Sequence, residues 1–343
     1  MKWNVFLCVV VIFMLFGCNQ GNRNCLEIRA AFDVGSGVTR MKIARVNKCL
    51  KKIEKILFEE TIPVSYKEDL LQLKSGKTGY LSHEIMDIGF EKLLELKNKA
   101  MKFKPRRWIG VATSAFRTAR NSGNYFKMIE KKLGIRIKTI TQEKEAKIGL
   151  RIASMKTGKK DNEIIAWDIG GGSMQMITGK MDGGHHYYGG NIGAVSFKEM
   201  IIRKIQKKKS KKIFSPNPIR MKDFNSAVSV AKHMARKGVD NKLSKIIKGR
   251  VREIIGIGGL HYFCIYKQSS GVNETYHRHE IENILPKKVL MTDAELGGKY
   301  APTDVSNLAL VLGYMKELDI KKVRTLKVNL NEGLLVYPEF AMD

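Results

Sequence analysis

The sequence predicts an α/β protein of two lobes, and two observations carry that reading. The chain has 343 residues, too many for one ordinary domain of ~100–150 residues and enough for two. A local pattern also occurs twice. Residues 28–46 run from an apolar strand through Asp33-Val34-Gly35-Ser36-Gly37 into a second strand, and residues 164–178 repeat this around Asp168-Ile169-Gly170-Gly171-Gly172-Ser173. Each lobe therefore begins alike. With 43% hydrophobic residues and only 7 prolines, the body has the material for a packed core.

The paired turns point to phosphate. Glycine lets backbone N–H groups converge on an anion without Cβ interference, and serine adds a donor. Gly35, Ser36, Gly37 and Gly170, Gly171, Gly172, Ser173 are the candidate phosphate contacts. Asp33 and Asp168 cannot bind phosphate directly, since both are anions; their work is to hold a divalent cation, or its water, that bridges to phosphate. One such turn alone is ordinarily a hairpin, but two matched copies, one per lobe, favour function.

Between the turns the chain offers an amphipathic helix over Ser82 to Met101 with Ser82 as cap. A strand follows over Trp108 to Ala112, then a helical segment opened by Glu143 and Glu145. Acids in a first helical turn are favourable in any case. The basic run Arg203 to Lys212 reads as a helix tail and loop before Ser215-Pro216. It is a solvated face or a contact for polyanion or anionic lipid. His185-His186 falls in a hairpin and His277 with His279 in a polar loop; neither pair has a third ligand nearby.

The formal net charge is +29, so polyanions are natural partners, although charge alone does not choose among nucleic acid, lipid headgroups, nucleotides and polyphosphate. Nucleic acid lacks a recognised motif here. The five cysteines show no zinc spacing. Three of them, Cys25, Cys49 and Cys264, lie in the body, an odd count that predicts no complete disulfide framework.

Taken with Gly110 to Arg117, Ile140 to Ala146, Gly193 to Phe197, Ile254 to Gly259 and Asn331 to Leu335, the two turns carry a specific resemblance. In order and spacing the set resembles the exopolyphosphatase and guanosine pentaphosphate phosphohydrolase (Ppx/GppA) family. That family shares the two-lobed, ribonuclease H-like fold of actin, hexokinase and heat-shock ATPases, with a cleft between the lobes. The resemblance covers about residues 28 to 336, and implies an N-terminal phosphate-binding lobe over 28–160 and a C-terminal one over 161–336. It implies Glu145 as the water-activating carboxylate, with Glu143 the local rival, and Arg117 as a group that reaches bound phosphate through a planar guanidinium. Mg²⁺ or another divalent cation is the implied cofactor, and lobe closure assembles the site.

The chain departs from that family at Met174-Gln175, where members carry Thr-Glu, at Val38 and at Leu260. Gln175 keeps the shape of the third candidate metal ligand and one acceptor oxygen but loses a negative charge, which weakens cation binding. Two readings stay open: a hydrolase releasing terminal orthophosphate from polyphosphate, or a polyanion-binding protein with little turnover.

The first residues read as a secretion leader. Val5 to Phe16 is an apolar run too short to span a bilayer comfortably. Leu15-Phe16-Gly17-Cys18 resembles the bacterial lipobox, with bulky Phe16 as a departure. The expectation is a signal peptide over 1–18, lipid on Cys18, and residence in the bacterial cell envelope on the periplasmic or outer-surface side. Arg23 and Arg29 argue the other way, because basic flanks stay cytoplasmic. Export favours polyphosphate as substrate; a cytoplasmic face restores guanosine pentaphosphate. The sequence does not set the assembly state, monomer or homodimer.

Overall fold

Alternation of side chains along the first strand sets the architecture. In β1 (Leu26–Val34) Ala30, Phe32 and Val34 face one core, while Ala31 faces another on the opposite side. The computed structural model describes residues 25–209, 213–298 and 300–341. The expected leader with Cys18, and residues 210–212 of the basic run, lie outside the described residues. Among the described residues no helix is long and apolar enough to cross a membrane.

The first sheet contains β1, β2 (Val38–Asn47), β3 (Lys52–Pro63), β4 (Arg107–Ala112) and β5 (Ile137–Thr139) in the order β3-β2-β1-β4-β5. The hairpins β1/β2 and β2/β3 are antiparallel, and β4 and β5 join in parallel. The second sheet contains β6 (Ile164–Ile169), β7 (Met174–Gly179), β8 (His185–Gly190), β9 (Glu253–Ile257), β10 (Thr275–His277) and β11 (Lys322–Leu326). Its order is β10-β11-β9-β6-β7-β8. The arrangement β8-β7-β6-β9-β11 repeats β3-β2-β1-β4-β5 in order and strand sense. The repeated turn of the sequence is thus the visible part of a repeated lobe.

Helices cover the outer face of each sheet. In the first lobe these include α1 (Tyr66–Leu71), α2 (His83–Met101), α3 (Ser114–Thr118) and α4 (Ser122–Leu133). The expected cap of α2 is present: the Ser82 hydroxyl accepts from Ile85 N at 3.2 Å and donates to Asp69 at 2.5 Å. Between the sheets lie α5 (Gln142–Thr157) and α12 (Leu330–Val336), whose Ile148, Ile152, Leu334 and Leu335 share one core with Ala31 of β1 and Ala166 of β6. A Cβ on Gly333 would stand 2.4 Å from Ile148 Cγ2, so a glycine is what lets these two helices touch. The second lobe adds α6 (Ala194–Met200), which runs into a π-helical turn at Ile201–Ile205, then α7 (Met221–Gly238) and α8 (Asn241–Lys248). It closes with a π-helical stretch Leu260–Tyr266, α9 (Arg278–Lys288), α10 (Asp293–Leu296) and α11 (Ala301–Glu317).

Three local expectations change. Cys25 and Cys49 form a disulfide, with Cα atoms 5.4 Å apart, and leave Cys264 free. The odd count concealed a pair: Leu26 stands opposite Asn47 in the β1/β2 ladder, and Lys48 N donates to Cys25 O at 2.8 Å, which brings the two thiols across the sheet end. His277 and His279 lie not in a loop but at the end of β10 and in α9. The helix tail expected in the basic run stops at Ile205, where Arg203 folds back to Lys208 O and Glu199.

Candidate active site in the cleft between the lobes

Period two places the aspartates. Asp33 lies two residues after Ala31 and Asp168 two after Ala166, so both belong to the inter-lobe faces of their sheets, at the C-terminal ends of strands. The following turns close identically: Gly35 N donates to Val38 O and Gly170 N to Ser173 O, each at 2.9 Å. The two turns also meet. A Cβ on Gly171 would lie 3.0 Å from Ser36 Cβ; one on Gly172 would lie 2.6 Å from Ser114 Oγ, 3.1 Å from Ser36 Oγ and 3.3 Å from Lys67 Cε. These glycines keep the backbone bare where the loops converge.

Glu145 is set by the start of α5. Thr141 caps the helix by accepting from Lys144 N. Residues two apart on a helix point in nearly opposite directions, so Glu143 turns to solvent and pairs with Lys147 at 2.7 Å while Glu145 is buried. Of the two acids, Glu145 is therefore the one turned into the interior. Arg117, on α3, donates to Glu145 Oε2 (2.8 Å), Ser173 Oγ (3.0 Å) and Ile140 O (3.2 Å). Gln175 Nε2 donates to Ser173 Oγ (3.1 Å) and Glu145 Oε2 (3.3 Å), and its Oε1 is buried with no partner.

The electrostatics follow from packing three carboxylates into one cleft. Burial pushes Glu145 up to about 7, against the opposing pull of Arg117 and with a further push from Asp33. Burial, then repulsion from Glu145 and Asp33, raises Asp168 to about 8. Asp33 is raised by burial even though Arg40 Nη1 holds it at 3.0 Å. Gly258, at φ +84°, is fixed as glycine by its neighbour: a Cβ there would stand 2.7 Å from Asp168 Oδ1.

Ten sequence-predicted residues gather here: Asp33, Ser36, Gly37, Arg117, Glu145, Asp168, Gly171, Gly172, Ser173 and Gln175. Gly35 and Gly170 shape the two turns; Cys18 lies outside the described residues. The sequence reading missed Arg40, Ser114 and Lys67. Arg40 was within reach, because the hairpin closure places it directly opposite Asp33. Ser114 sits in a quoted motif without an assigned role. Lys67 left no signal: it arrives on α1, where its N–H donates to Ser36 O at 2.9 Å. Burial and the nearby Arg117 lower its pKa, and no carboxylate offsets them.

Fold and site together define a two-lobed α/β protein whose paired glycine- and serine-bearing turns face each other across a cleft. Comparison with known proteins agrees. The family model of the Ppx/GppA phosphatase family matches residues 43–339, and the chain belongs to that family. A family member from Aquifex aeolicus is 20% identical, with a TM-score of 0.65, over 93% of this chain and 99% of its own. An exopolyphosphatase from Cytophaga hutchinsonii is 18% identical, with a TM-score of 0.70, over 91% and 97%. Among curated proteins, a bifunctional 3-dehydroquinate synthase/phosphatase from Fusobacterium nucleatum is 30% identical over 178 residues, half of this chain. The matched segment spans about a quarter (26%) of that relative's length.

Proposed function

We propose that the chain is an exopolyphosphatase-like hydrolase that releases terminal orthophosphate from inorganic polyphosphate, anchored in the cell envelope through lipid on Cys18. The observation that carries the reaction is Glu145: a buried carboxylate beside Arg117, facing two glycine turns with inward serines. An entering terminal phosphate offers oxygens to Arg117, Lys67 and the Ser36 hydroxyl, which is buried without a partner. Arg117 then shares its donors with the substrate and frees a lone pair of Glu145. A water held by Glu145 attacks phosphorus; its oxygen forms the new P–O bond, the bridging P–O bond breaks, and the proton passes to Glu145. A base raised to about 7 is suited to accept that proton near neutrality.

A divalent cation fits the residues present as a partner of the substrate rather than as the occupant of a closed cage. Among the described residues no cluster of three His, Cys, Asp or Glu could hold a metal by itself. Asp33, Asp168 and the unpartnered Gln175 Oε1 match the way Mg²⁺ is held by one or two carboxylates, waters and substrate phosphates. When bound, the ion would neutralise phosphate oxygens as charge develops on the leaving group.

The Cys25–Cys49 bond supports the envelope assignment, because disulfides persist in oxidising compartments. In such a compartment cytoplasmic guanosine pentaphosphate is out of reach. A second reading, binding with little turnover, is favoured by Gln175, whose N–H group occupies an oxygen of the proposed base. The deciding experiment measures orthophosphate release from polyphosphate and from guanosine pentaphosphate with Mg²⁺, using the chain from Asn19 onward and its Glu145→Gln variant. Release that falls 10²- to 10⁴-fold in the variant, the usual span for a lost general base, supports the hydrolase. Polyphosphate binding without release in the parent protein selects the second reading.

A further inference from the structure

The end of the first lobe remote from the cleft has a composition of its own. β1 and β4 run in parallel toward the cleft, so their N-terminal ends define the opposite base of the lobe. Three segments meet there: Cys25-Leu26, the β2–β3 turn at 48–51, and the approach to β4. Lys48 N bonds Cys25 O at 2.8 Å and Arg106 N bonds Ile28 O at 2.9 Å. Lys48, Lys51, Lys104 and Arg106 are exposed on this base. Of the nearby carboxylates, Glu27 is held by Arg29 and Arg107 and Glu54 by Lys52, while Glu339 shares a surface pocket with Lys51 and Arg151. Among these cations stand three apolar side chains in solvent, Leu50 at 67% exposure, Met101 at 53% and Leu26 at 40%.

We infer that this base is a docking face for an anionic lipid surface. Exposed lysines attract anionic headgroups, and a leucine at a turn tip can enter the boundary with the acyl chains. The chain's own connectivity chooses lipid over other polyanions. Six residues lie between Cys18 and Cys25, a reach of about 25 Å at full extension over the seven steps. The disulfide holds the Leu50 turn at the point where the chain enters β1. An anchor at Cys18 therefore enters the lobe at this face, at the end of β1 opposite the cleft. The inference rests on the envelope reading for its occupant and its orientation, while the face itself consists of described residues.

The test uses the chain from Asn19 onward, which keeps every described residue and carries no lipid, with sedimentable phosphatidylcholine vesicles that either contain or lack a quarter phosphatidylglycerol. Binding to the anionic vesicles alone is expected. A basic residue near such a surface is worth roughly 5-fold in partitioning, so Lys48→Gln, Lys51→Gln and Lys104→Gln together should weaken binding about 100-fold. Removing the same charge from α8, with Lys242→Gln, Lys245→Gln and Lys248→Gln, should change it less than 3-fold. Equal loss in both triples would overturn the inference in favour of diffuse charge, as would no vesicle binding by the parent protein. Loss of polyphosphate binding by the first triple with vesicle binding intact would assign the face to a soluble polyanion and also overturn it. Lipidation is read separately, by mass spectrometry of the membrane-extracted full chain, so failure of the anchor and failure of the face are distinguishable.

Discussion

Gln175→Glu places a second carboxylate against Glu145, and the geometry gives the size of the effect. Gln175 Nε2 lies 3.3 Å from Glu145 Oε2. Two like charges at that separation repel by about 5 kcal/mol at an effective dielectric of 20, from 332/(20 × 3.3). That corresponds to almost four units of pKa, enough that without a cation one of the two acids stays protonated at neutral pH. A divalent ion reverses the sign, because the introduced acid then serves as a ligand. The assay follows the melting temperature of both proteins over a Mg²⁺ titration, alongside orthophosphate release. Without Mg²⁺ the variant should melt below the parent; with millimolar Mg²⁺ the gap should close or invert, and turnover should rise. Identical Mg²⁺ responses in the two proteins would refute the reasoning, since Gln175 would then have no part in cation binding.

Other expectations concern separate parts of the molecule. Lys67→Ala removes an uncompensated cation from the cleft, and the loss of a charged hydrogen bond, about 1.5–3 kcal/mol, should weaken phosphate inhibition roughly 10- to 150-fold, as read by competition with orthophosphate. His261 is fully buried, and burial lowers its pKa to about 3 from 6.5. Below pH 6.5 the unfolded chain takes up a proton that the folded one refuses, so stability falls as pH falls. Between pH 6.5 and 4.5 the loss is about 2 kcal/mol. His261→Phe should remove that component from urea unfolding measured across the range, and an unchanged slope would count against it. Cys49→Ser opens a cross-link between residues 24 apart, worth about 3 kcal/mol by loop closure; equal unfolding midpoints for the oxidised parent and the variant would show that the bond adds nothing.

Local chemistry was legible in the sequence and its assembly only in part. The two turns were legible because glycine and serine recur at the same offsets from a strand in both, and α5 because its cap and first-turn acids are local signals. Arg117 and Glu145 were named by resemblance alone, and the structure brings them within 2.8 Å of each other. Lys67 was hidden because nothing within a turn's length shows that α1 folds over Ser36. The disulfide was hidden because pairing depends on ladder register, which a cysteine count does not contain. Gln175 was read as a shape-preserving loss of charge; its contact with Glu145 required β7 and α5 to be seen side by side.

The position of α12 has a consequence for how the protein is made. Residues 330–336 pack against β1 and β2 at the other end of the sequence: Arg29 reaches Leu335 O across 306 residues, and Lys42 reaches Glu332 across 290. Ala31, Ala44 and Val46 stay uncovered until that final helix arrives. The first lobe to emerge is therefore among the last to be completed, and contacts of such long range form slowly.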